Sequence, residues 1–124
     1  SYHIYFKSFR PKPDPLNRIL ALTEFGGFSL AVNGHTSSDI LYGYKIFKDR
    51  QSLNDGIRNL YETDVYPAMK KGLSASIYTQ VSDVEDEVNG IFTYDRKETK
   101  LDMDLSLQIA ETLHELFKKN YADK

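Results

Sequence analysis

Two short apolar runs flank a stretch of helical periodicity, and that alternation narrows the possible folds sharply. Residues 19–23 and residues 75–81 read as buried parallel strands. Between them Leu53, Ile57, Leu60, Tyr61, Val65 and Ala68 recur at helical spacing. Parallel neighbours need a crossover connection, and a helix is the usual one. An aromatic-rich strand is expected over residues 2–9, ended by Pro11, Pro13 and Pro15. A last helix is expected over residues 103–119, burying Leu105, Ile109, Leu113, Leu116 and Phe117. The expected class is α/β with a parallel sheet. With 124 residues the chain suffices for one modest domain.

Local signals set the expected boundaries. Ser52 can cap the first helix, with Asp55 completing an imperfect capping box. Pro67 should kink its last turn, and Gly72 should close it. Residues 28–50 lack periodicity and read as a long loop, packed down by Tyr42, Tyr44 and Phe47.

Composition removes several function classes. No cysteine is present, which excludes disulfides, zinc thiolates and a thiol nucleophile. The formal net charge is −2, so neither a nucleic-acid nor a membrane partner is indicated. The apolar runs fall far short of the roughly 20 residues that span a bilayer, and no signal-peptide pattern opens the chain. The compartment is left open. The acidic residues 83–87 lack EF-hand spacing, so no metal is expected there. They read as a solvated loop, paired with Arg96 or Lys97. Gly26-Gly27 lacks the partners of a phosphate loop, and no cofactor is implied.

The most informative local feature is Glu24, which ends an apolar strand and precedes Phe25-Gly26-Gly27. Read alone, it is equally a surface carboxylate or an active-site one. Three stretches together resemble glycoside hydrolase family 2, the β-galactosidase/β-glucuronidase family. Leu22-Thr23-Glu24-Phe25-Gly26-Gly27 is similar to the family's strand-seven segment. Residues 78–90, from Tyr78-Thr79-Gln80 to Asn89-Gly90, look like the eighth strand and its loop. Gly90-Ile91-Phe92-Thr93-Tyr94-Asp95-Arg96-Lys97 is close to the run in which Phe-Thr precedes Asp-Arg-Lys. Tyr42-Gly43-Tyr44 and Asp49-Arg50 lie between them in the expected order.

The resemblance implies a partial (β/α)8 TIM barrel, about strands six to eight with the last two helices, over residues 1–124. It implies a retaining glycosidase that hydrolyses O-glycosidic bonds, with Glu24 as the nucleophile. A nucleophilic carboxylate must be ionised, so donors are expected around it, Tyr5 or Tyr78 among them. His3 and Tyr5 share one strand face and are candidates to contact the sugar, as are Tyr78 and Gln80 on the later strand. Ordinary core packing is an equal reading for the first pair. The family often has a Trp platform on this strand; this chain has no Trp, so either Tyr78 replaces it or the platform comes from elsewhere. His35 reads as a solvated loop histidine. The family's acid/base Glu follows an Asn, and no Asn-Glu pair occurs here. The chain is therefore expected to be a segment cut from a longer barrel and inactive alone. Its expected partners are a carbohydrate, the remainder of the barrel and copies of itself. The competing expectation is a non-catalytic carbohydrate-binding or interaction domain.

Overall fold

The computed structural model describes residues 1–12, 14–43 and 45–121. Pro13 and Tyr44 lie outside them. The fold is mixed α/β with parallel strands in two small sheets. β1 (Tyr2–Ile4), β2 (Leu20–Gly26) and β5 (Leu73–Thr79) form a parallel sheet in the order β1-β2-β5. β3 (Phe28–Ser29) and β4 (Lys45–Ile46) form a second parallel pair.

The aromatic segment at the start is a strand only as far as Ile4, because Phe6 adopts φ 56°, which no strand can contain. The expectation of two fully buried strands also needs correction. Ile19 is 78% exposed, and β5 is an edge strand with Ile77 at 57% exposure; Val81 beyond it is at 70%. Among the described residues β5 pairs only with β2, and the sheet face that carries Ile77 is left open to solvent, because side chains project from the faces of a sheet.

Between β2 and β5 the chain runs through α1 (Arg50–Leu60), a widened π turn over Tyr61–Val65, and α2 (Tyr66–Met69). The cap of α1 is Asp49, not Ser52: its carboxylate accepts from the Ser52 backbone N–H at 2.7 Å. Asp55 instead accepts from the Gln51 side chain at 3.0 Å. Pro67 has no N–H for a carbonyl four residues back. The turn before it is widened, with the Tyr66 N–H reaching the Tyr61 carbonyl. Gly72, at φ 100°, donates to the Met69 carbonyl and turns the chain into β5.

Phe9, Leu22, Phe25, Val65, Ala68, Met69 and Leu73 form one core between the first sheet and these helices. Phe28, Leu30, Leu53, Ile57, Leu105 and Ile109 form a second, closed by α3 (Met103–Tyr121). On α3, Leu105 and Ile109 are buried, Leu113 and Leu116 half-buried, and Phe117 is 48% exposed. Asp102 precedes this helix and accepts from the Asp104 N–H at 2.8 Å. Among the described residues no helix is long and apolar enough to cross a membrane.

Candidate active site

The carboxyl ends of parallel strands lie together, and ligands of α/β sheets bind there. β1 and β2 pair with Tyr2 opposite Leu22 but His3 opposite Glu24, so one step on β1 meets two on β2. On the other side Leu22 faces Ser76 and Phe25 faces Tyr78, again with an extra residue on β2. The bulge therefore falls at Thr23 and Glu24. Such an insertion re-aims the side chains beside it. Leu22 and Phe25, three apart, are both buried, and Glu24 between them has its side chain 46% exposed.

Among the described residues two side chains meet this carboxylate. The Tyr5 hydroxyl donates to Glu24 Oε2 at 3.1 Å. His3 Nδ1 lies 3.4 Å from the same oxygen, with the His3 side chain 58% exposed. Tyr2 and Ile4, which alternate with them, pack against the first core. The pair expected to share a face thus converges on Glu24. Of the two tyrosines considered as donors, Tyr5 makes that bond.

Tyr78 is placed differently. It is registered with Phe25, and the two rings meet edge-on at 5.6 Å and 87°. It packs against both cores, and burial, followed by the neighbouring Tyr61, pushes its hydroxyl pKa well above the ordinary tyrosine value. The ring also lies where a Cβ on Gly26 would sit, and Gly26 has φ 92°. Only glycine accommodates both conditions at that strand end.

Gln80, just past β5, donates from Nε2 to Asn89 Oδ1 at 2.5 Å and to Glu87 Oε2 at 3.3 Å. It ties the end of the strand to the following loop. His35 Nδ1 lies 2.9 Å from Asp95 Oδ2, joining the loop after β3 to the turn at residues 93–97. The Thr93 hydroxyl, then His35, hold the Asp95 carboxyl below the ordinary carboxylate range.

The acidic loop corrects the sequence reading. Asp83 is buried, and its partner is Lys100 rather than Arg96 or Lys97. Lys100 Nζ lies 2.6 and 2.8 Å from the two Asp83 oxygens, with both side chains at 1% exposure or less. Lys100 also donates to the Val88 carbonyl at 3.0 Å, and Asp83 accepts from the Gly90 N–H at 2.8 Å. Gly90 leaves no room for a Cβ against Ser82 and Asp83. Nothing local in the sequence marks Lys100 for burial, since Glu98, Thr99 and Asp102 around it read as a polar surface.

Among the described residues no group of three or more metal-ligating side chains is assembled. Neither the scan against family models nor the search of curated proteins finds a match for this sequence.

Proposed function

We propose that this chain is the part of a (β/α)8 barrel that carries the nucleophile of a retaining, β-galactosidase-type glycosidase. β1, β2 and β5 stand for strands six, seven and eight. The observation that carries this reading is Glu24 at the carboxyl end of a parallel strand, with Tyr5 and His3 both on its Oε2. Among the described residues Oε1 has no partner and is free to meet a substrate. The consecutive parallel order of the three strands supports the barrel reading, since both sheet edges remain available for further strands.

In the proposed reaction Glu24 attacks the anomeric carbon, and the bond to the leaving oxygen breaks. A second carboxyl group, about 5–5.5 Å away and supplied by another barrel strand, protonates that oxygen. Water, deprotonated by the same group, then hydrolyses the glycosyl ester with net retention. Tyr5 orients the carboxylate and His3 borders it on the β1 side.

The test is a 2-fluoro-glycoside trap on the full-length protein, followed by peptide mass spectrometry. The expected label is on Glu24, and a label on any other carboxylate overturns the assignment. A free-standing sugar-binding domain is the second reading, and the two hydrophobic cores assembled within this chain favour it. Calorimetric titration of this chain with galactosides, glucuronides and mannosides separates the two. Saturable binding by the chain alone supports the second reading.

A further inference from the structure

A cleft of about 530 Å³ opens where β1 and β2 end, walled by Ile4, Gly26 and Phe28 on one side and Leu60 and Asp64 on the other. Three cations line it. Lys7 and Arg10 come from the segment after β1, and Lys45 comes from β4. Among the described residues none of the three forms an ion pair with a carboxylate. Lys45 Nζ lies 5.6 Å from the Phe28 ring centre and 5.2 Å from that of Phe47, so it is held over apolar faces without being neutralised. Phe6 stacks on Phe28 at 6.1 Å and 22°, giving the cleft a flat aromatic wall. Its one acid, Asp64, accepts a hydrogen bond from the Ser8 hydroxyl at 3.2 Å.

Three cations against one carboxylate leave two positive charges uncompensated, in a chain whose net charge is −2. We propose that this cleft binds a dianionic oxyanion, a phosphate or sulfate group, free or as the ester of a sugar. A guanidinium fork suits two oxygens of such a group, and two ammonium groups supply further point charges. The dianion matches the local excess, and the Phe6–Phe28 wall suits the apolar face of a sugar ring. The inference stands apart from the glycosidase reading, because it rests on neither Glu24 nor the two side chains, Tyr5 and His3, that meet its carboxylate.

Calorimetric titration of the chain at constant ionic strength tests it, with inorganic phosphate, glucose 6-phosphate and acetate as probes. Saturable one-to-one binding of phosphate is expected, with acetate much weaker. Tighter binding of glucose 6-phosphate identifies an ester as the favoured form, and equal binding identifies the free anion. Arg10→Gln and Lys45→Gln should each weaken phosphate binding about tenfold, the worth of one charge-assisted contact. Lys70→Gln, on α2's C-terminal side, should change nothing. All three substitutions are on exposed side chains, and circular dichroism checks that the fold is kept. Absence of saturable binding overturns the proposal. So does equal affinity for acetate, or unchanged affinity in both cleft variants.

Discussion

Both neighbours of Glu24 fall on one carboxylate oxygen, so the orientation of the group depends on few atoms. Under the proposed reaction, Tyr5→Phe in the full-length protein lowers kcat/KM by roughly ten- to a hundredfold, the range of one hydrogen bond to a charged group. Steady-state kinetics, with a melting curve to show that the fold is intact, checks this; an unchanged rate would remove Tyr5 from the site. The Asp83–Lys100 pair allows a sharper test. Lys100→Met leaves the Asp83 charge buried without its partner and should cost about 3–5 kcal/mol in urea unfolding. Replacing both together, Asp83→Leu with Lys100→Met, should recover much of that loss, because no lone charge remains. The Gly90 N–H loses its acceptor in the double variant, so recovery should be incomplete.

Local elements here are held by carboxylates that accept hydrogen bonds. Asp49 caps α1, Asp14 holds Arg18 across a short turn, and Asp95 organises the turn after Thr93. The Arg18 side chain draws Asp14 down from 3.8 to about 2, and the Ser52 N–H lowers Asp49. With Asp95 also lowered, all three share one sign: the folded state binds the proton less readily than the unfolded chain does. Their stabilisation is fully present above the ordinary carboxylate value and is lost as pH falls through the folded-state values. Stability by urea unfolding should therefore be level from about pH 7 to 5 and fall between about pH 4 and 2. Asp49→Ala should flatten part of that fall while lowering stability at pH 7. A profile that stays level to pH 2 would contradict the assignment.

For the molecule as a whole, the open sheet edges matter most. Among the described residues β1 and β5 each pair on one side only, and β5 presents Ile77 to solvent. An exposed edge with apolar side chains pairs readily with another strand. The chain should associate at micromolar concentration, as read by light scattering. Ile77→Lys should shift it toward monomer, since an edge lysine opposes strand addition. A monodisperse wild-type monomer with a sharp thermal transition would show that this chain is self-sufficient and that its open edges do not drive association.

The order of β1, β2, α1, β5 and α3 and the parallel pairing of the three strands were legible in the sequence, because periodicity and connection length act over neighbouring residues. β3 and β4 were not, since they fall in residues 28–50, which lack periodicity and read as a loop. The spacing of Leu105 and Ile109 placed α3 on the core, and the alternation of residues 2–5 put His3 and Tyr5 on the side of Glu24. Other features depend on atoms far away in the chain. The bulge that aims Glu24 is a mismatch of register with two other strands, which no single strand carries by itself. Ile19 and Ile77 look apolar enough for a core, yet burial requires a neighbouring layer, and the described residues leave both largely exposed. Asp83 and Lys100 read as surface charges in polar segments. Only the folding of residues 80–100 into one packed unit brings them together, and desolvation then makes each the necessary partner of the other.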